Sequence, residues 1–402
     1  MEYLKESHLE EKHLTKWADI KLSEVMFCLC LVSIFLPIKI YPVIFLIGSI
    51  IFFRDTEKLK FPKWSICLLI FSVYAGFSFL RVYQGESFLL TNLIKLVINF
   101  IFLFFALNWV NQRDNTQLLK GVDLVLHVIF ILVLVQLLVY HQALGFRLIY
   151  GSSSSGQASM LYNIEHFFWG LEDKNMFGAR IAMVGFPYIM IPLVRFNKIA
   201  LWRIFGIFLL AYLSLSRTPI VALLIGVFFL IWIASRTRWR IILLFFMGVT
   251  LPILSDKLIR IGDLTASNDG MGVRLVYWKA FIQNFTAISP LGNGFLSAPE
   301  FLTEYAQFYR GEPHIHNTFM STYLEMGIIG FASYCLFLFY FYRDCQKELK
   351  NTKFWLVAFL PLLSIMMILY SGYDNDIVIY LTMIFMLGSS RMIDFKTTRI
   401  GI

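Results

Sequence analysis

The sequence predicts an all-α, polytopic membrane protein of about twelve transmembrane helices, with both termini cytosolic and one large external loop between spans nine and ten. Three observations carry this. Of 402 residues 58% are apolar and only 15% charged, against roughly 25% charged in an ordinary soluble domain. Apolar runs of the length needed to cross a hydrocarbon core of about 30 Å recur from Val25 almost to the C-terminus. The basic residues behind the net charge of +9 are dispersed among short linkers, which fits the positive-inside rule and speaks against a nucleic-acid partner.

Residues 1–21 mix both charge signs without an apolar stretch and read as a cytosolic lead-in rather than a signal peptide. Residues 22–390 form a single transmembrane domain, followed by a cytosolic tail at 391–402. The spans fall at about 22–36, 39–53, 64–80, 88–109, 122–144, 179–195, 199–214, 219–234, 240–255, 318–342, 354–371 and 376–390. The first two are short, and Pro37 and Pro42 around Lys39 leave open one broken hairpin. Cytosolic pieces carry 23 of the 35 Lys and Arg residues, while eleven are spread over the longer outer pieces and Lys95 lies within the fourth span. That asymmetry sets the orientation. Two external loops, about 145–178 and 256–317, exceed simple connections, and loops of that length are functional or disordered. The five cysteines suggest neither a disulfide framework nor a metal site.

Three outer constellations hold residues suited to chemistry. In LSLSRTPIVALL (213–224), Thr218 and Pro219 have the form of an N-cap and first-turn proline, with Arg217 immediately before them. Free N–H groups, the helix dipole and a guanidinium then make an anion site, the plainer reading being an interfacial arginine that snorkels. In GMGVRLVYWKAFIQNFTAISPLGNGF (270–295), Arg274 opens an amphipathic helix and Pro290 to Gly294 forms a turn. Tyr277, Trp278, Phe281 and Phe285 recur at helical spacing and read as interfacial packing. Together with Arg180 and Arg310, Arg217 and Arg274 have the charge to hold a diphosphate.

The third constellation, PHIHNTFMSTYLEMGIIGF (313–331), sets His314, His316 and Asn317 just before a membrane helix. Histidine accepts a proton near neutrality. Two histidines alternating along an extended segment face opposite ways unless the chain turns, and His316, beside Asn317 and the helix start, is the preferred base. No carboxylate or cysteine stands at a spacing that completes a metal site. Glu325, roughly opposite His316 on an ideal helix, reads as packing near Gly327 and Gly330. Lys95, about two turns from the outer end of its span, either snorkels outward or meets an anionic head group. Asp374 and Asp376 in GYDND either bind a hydroxyl-rich ligand or solvate a short loop.

Taken together, SR at the start of an apolar helix, an Arg-aromatic stretch ending in PLGNG, and HN followed by ExGxxG resemble the O-antigen ligase family over about Asn175 to Gly330. That family also holds O-antigen and capsule polymerases and bacterial O-oligosaccharyltransferases. The resemblance implies a fold like that of C-superfamily glycosyltransferases, in the bacterial inner membrane, with both external loops and the active site facing the periplasm. It implies an undecaprenyl-diphosphate-linked glycan as donor, Arg217 and Arg274 on the donor diphosphate, and His316 as base for an acceptor hydroxyl. Arg180, Arg310, Asn317 and His314 are the further substrate-binding candidates. No cofactor, nucleotide sugar or metal is implied.

The chemistry agrees, because expelling a lipid diphosphate needs a base near the acceptor and fixed positive charge near the leaving group. The favoured reading is an O-antigen ligase of lipopolysaccharide biosynthesis that uses the lipid A-core as acceptor. The alternative is a polymerase extending a carrier-linked glycan from the same donor. A secondary transporter or flippase is the rival from another class, and the missing internal repeat and the few ionisable residues within spans, mainly Lys95 and a packing histidine at 127, speak against it.

Overall fold

The computed structural model describes residues 21–36, 38–143, 145–146, 174–235, 270–349, 352–369, 373–390 and 397–401, with isolated positions between them. Most of the lead-in, loop residues 147–173 and 249–269, and most of the span expected at 240–255 lie outside the described residues. The other apolar runs form helices, the conformation that satisfies backbone polar groups within one segment. They are α1 (Leu22–Ser33), α2 (Tyr41–Asp55), α3 (Lys63–Val82), α4 (Ser87–Val110), α5 (Thr116–Ala143), α6 (Lys174–Phe196), α7 (Leu201–Leu213) and α8 (Thr218–Ala234). After them come α9 (Gly270–Gln283), α10 (Ala298–Tyr305), α11 (Thr318–Leu349), α12 (Thr352–Ile368) and α13 (Asn375–Ser390). By length and composition α3, α4, α5, α6 and α11 can each cross a membrane, and α1, α7, α8, α12 and α13 are shorter apolar helices. Large side chains such as Phe205, Leu80 and Ile131 stand exposed on the outside of the bundle, as lipid-facing residues do.

Helix α6 runs through the centre, buried along most of its length and packed by α5, α7, α8, α12 and α13. Close approach there depends on glycine. A Cβ at Gly226 of α8 would lie 2.4 Å from Pro361 of α12 and 2.6 Å from Phe186 of α6. Charges near one end of these helices are paired, as burial demands: Asp123 of α5 accepts hydrogen bonds from Arg195 at 2.6 Å and Arg203 at 2.7 Å. His127, between the rings of Tyr188 and Trp202, packs helices as the sequence suggested. Strands β1 (Lys198–Ala200) and β2 (Arg399–Gly401) pair in parallel, so the C-terminal segment and the α6–α7 link share one face of the bundle.

At the opposite face, α9, a 3-10 turn at Phe285–Ala287, α10 and the start of α11 enclose a small core of their own, with Tyr277, Phe281, Phe301, Leu302, Ile315 and Leu324 buried in it. Helix α11 packs most extensively on α3 and is broken at Gly327, whose φ of 59° and ψ of −157° are not helical.

Gly226→Leu should cost about 1–3 kcal/mol through overpacking and lower the thermal-unfolding midpoint of the purified protein. Gly206→Leu is the control, because no atom lies within 4 Å of its Cβ position, and its midpoint should not move.

Candidate active site

The outer site is framed by backbone meeting backbone. The Pro290–Gly294 turn docks on the break in α11: Ile328 N donates to Pro290 O at 2.9 Å, Asn293 N to Leu324 O at 2.7 Å, and Gly294 N to Glu325 O at 3.1 Å. A Cβ at Gly327 would fall 2.1 Å from Pro290 O, and one at Gly292, whose φ is +82°, would fall 2.5 Å from Glu325 O. No side chain fits at either position, and the Gly327 conformation is one that essentially only glycine adopts. Helix α3 grips the same turn. Tyr74 Oη donates to Leu291 O at 3.0 Å, Arg81 Nη1 to Leu291 O at 3.1 Å and Gly292 O at 2.9 Å, and Ser78 Oγ to Glu325 O at 2.7 Å. PLGNG and ExG, far apart in sequence, are therefore one structural unit.

The contacts of Glu325 change its reading. Its side chain is fully buried, accepts a hydrogen bond from Tyr373 Oη at 3.3 Å, and has His314 Nδ1 3.9 Å from Oε1. Glu325 thus belongs to a polar cluster with His314, a role beyond packing near Gly330.

The histidine segment is pegged by Ile315, which is buried in the small outer core. Chain direction then changes at His316, whose φ of 60° lies in the left-handed region. This is the turn that two alternating histidines require, and such strain in a non-glycine residue costs about 1–3 kcal/mol and concentrates at functional sites. The His316 ring lies parallel to that of Tyr277, within 3° and with centroids 6.2 Å apart. Tyr277 is held in turn: its hydroxyl donates to the Glu312 carboxylate and accepts from Arg310 N at 3.1 Å. Arg274, one turn earlier on α9, is buried and shares the Tyr277 face. Tyr277 therefore shapes the site, correcting its reading as simple interfacial packing.

Burial, followed by the charge of Arg274 and the proximity of His314, lowers the His316 pKa from 6.5 to about 3. The ring is neutral at pH 7, and Nδ1 is buried with no hydrogen-bond partner among the described residues. A neutral imidazole with an unused nitrogen beside a guanidinium is equipped to take a proton next to a bound anion.

The remaining candidates are held in different ways. Asn317 caps α11: Oδ1 accepts from Phe319 N at 3.0 Å and Met320 N at 3.1 Å, while Nδ2 donates to Met367 O at 3.2 Å. Its amide is engaged in holding the segment next to His316. Arg310 is exposed, with its guanidinium 5.2 Å from the Phe308 ring centroid. Arg217 is half-buried at the start of α8 and is itself the N-cap residue, one position earlier than the expected Thr218. Its turn is locked onto α6, with Ser216 Oγ donating to Asn175 Oδ1 at 3.0 Å and Gly178 closely covered by Ser214, Ser216 and Pro219.

Arg180, two residues beyond Gly178, lines a crevice with Tyr41, Asn92, Lys95 and Asp374. Asn92, Lys95 and Asp374 also line the adjoining cavity, which reaches His314 and Tyr373. Lys95 thus lines both cavities; its charge within an apolar run was visible in the sequence, although its neighbours were not. Glu325, Tyr277 and Tyr373 had no comparable signal. Among the described residues no group of three or more His, Cys, Asp or Glu side chains could hold a metal ion.

The described residues thus form a helical bundle in which five helices are long and apolar enough to cross a membrane, the architecture of a polytopic membrane protein. The sequence model of the O-antigen ligase family matches residues 202–335, about a third of the chain, and takes in Arg217, Arg274, His316 and both docked glycines. The resemblance read from the motifs is therefore to the family that this match identifies, and the chain carries its domain. No curated protein matches the chain.

Because the unfolded chain takes up a proton near pH 6.5 that folded His316 refuses until about pH 3, this residue makes stability fall as pH drops through that window. Imidazole NMR of labelled protein should find the His316 ring still neutral at pH 5, and Arg274→Gln should raise its titration point. Half-protonation above pH 6 in the unsubstituted protein would contradict the assignment.

Proposed function

We propose that the protein transfers a glycan from an undecaprenyl-diphosphate carrier to an acceptor hydroxyl on the periplasmic face of the inner membrane, with the lipid A-core as acceptor. Its topology in this reading is twelve spans with both termini cytosolic, comprising a lead-in at 1–21, a membrane domain at 22–390 and a tail at 391–402. The observation that carries the reading is the neutral His316 imidazole beside the buried Arg274 guanidinium.

In the reaction, His316 takes the proton of the acceptor hydroxyl as its oxygen attacks the anomeric carbon. The bond from that carbon to the diphosphate breaks, and the carrier diphosphate leaves with the electron pair. Arg217 and Arg274 stabilise the charge that develops on it. The depressed basicity of His316 suits this order of events. A bound diphosphate offsets the positive charge of Arg274, so the imidazole becomes a better base once the donor is in place. Arg180 and Lys95 extend the positive lining of the crevice, and no metal or cofactor takes part in the scheme. A polymerase would run the same chemistry on a carrier-linked acceptor.

His316→Ala, Arg217→Ala and Arg274→Ala should each reduce transfer by about 100-fold or more, while expression and membrane insertion stay unchanged. Turnover with a purified lipid-diphosphate glycan is the measurement, and full activity in all three variants would contradict the proposed site.

A further inference from the structure

We propose that a cavity at the end of the bundle remote from His316 binds the phosphate headgroup of an anionic phospholipid. The cavity, about 380 Å³, lies between the start of α3, the end of α4 and the distal part of α11. Lys63, the first residue of α3, lines it, whereas Val82 at the other end of α3 packs on Gly294 of the active-site turn. Twenty helical residues separate the two by about 30 Å, the thickness of a hydrocarbon core. The cavity therefore opens at the membrane surface opposite the active site, too far away to take part in the transfer.

Its mouth is cationic. Lys60, Lys63 and Arg343 face a single carboxylate, Asp344, and among the described residues none of the three cations is in an ion pair. All three are exposed, and the Lys63 ammonium stands 5.7 Å from the Tyr340 ring centroid. Its interior is apolar: Trp64 and Phe385 are buried in the wall, and Trp64 sits edge-on to Phe337 and Phe341. A cationic rim over an apolar interior matches an amphiphile with an anionic head, and basic pockets between membrane helices recognise such lipids.

The mouth is also ordered in advance. Asn108 Oδ1 accepts from Lys60 N at 2.8 Å, and Gln112 Oε1 from Glu57 N at 3.1 Å and Lys58 N at 3.2 Å. Those bonds fix the link before α3 without help from a ligand. Beside it Phe61 is 69% exposed, as an aromatic anchor at the membrane interface is. This inference does not rest on the transferase reading.

Native mass spectrometry of the full-length protein in detergent, titrated separately with phosphatidylglycerol, phosphatidylcholine and inorganic phosphate, tests it. Phosphatidylglycerol should bind about ten-fold tighter than phosphatidylcholine, and Lys60→Gln/Lys63→Gln/Arg343→Gln should lose about ten-fold in affinity for it. The unfolding midpoint of that variant in the absence of lipid should match the unsubstituted protein, and Lys60→Arg/Lys63→Arg should retain binding. Equal affinity for the two lipids, an unaffected triple variant, or inorganic phosphate binding as tightly as phosphatidylglycerol would each overturn the proposal.

Discussion

The contact of two backbones, the Pro290–Gly294 turn against the break at Gly327, is the constraint on which the outer site depends. Neither Gly292 nor Gly327 has room for a Cβ, so the two segments approach more closely than any pair of side chains would allow. Three main-chain hydrogen bonds and the grip of Tyr74, Ser78 and Arg81 hold them there. Because α11 is interrupted, its first two turns belong to the outer module and the remainder to the membrane bundle. The histidine segment is thereby fixed between the two, with Ile315 sunk into the small core and Asn317 Nδ2 bonded to the Met367 carbonyl of α12.

Charge is handled differently from one site of the molecule to another. Beside α6 and α7, Asp123 is paired with Arg195 and Arg203, an arrangement that leaves little for a ligand. At the other end, Lys95 and Arg180 face a crevice that Asp374 also lines, and the charge of Arg180 acts on Asp376. A cation within a span is costly unless something compensates it, and Lys95 shares its crevice with Asp374. His316 stays neutral because it is buried and, second, because Arg274 lies close, and the neutral ring is the state in which it can accept a proton.

Much of this was legible in the sequence. Hydropathy located the helices because a membrane helix must be apolar over its whole length: α3, α4, α7 and α8 begin and end close to the expected bounds, whereas α5 and α6 begin more than a turn earlier. Arg274 and His316 stood out in the sequence by residue type, and the structure brings the two together. Glu325 was not legible, because its orientation was judged on a helix running back to His316, whereas the chain before Thr318 is not helical and bends at His316. Tyr277 was misread for a related reason: helical spacing of aromatics is the same whether a ring meets lipid or an imidazole. The position of the α8 cap moved by one residue, a shift within the variability of helix ends. Lys95 was visible as an anomaly, and only the folded crevice joins it to Arg180, Asp374 and His314.

Reconstitution of the purified protein with an undecaprenyl-diphosphate oligosaccharide, with rough lipopolysaccharide or with no second acceptor, tests the central claim most directly. The account predicts a glycan-extended product that forms only when lipopolysaccharide is present. A ladder of longer carrier-linked glycans without it would contradict the assigned acceptor in favour of a polymerase, and no product beside active controls would contradict glycan transfer itself.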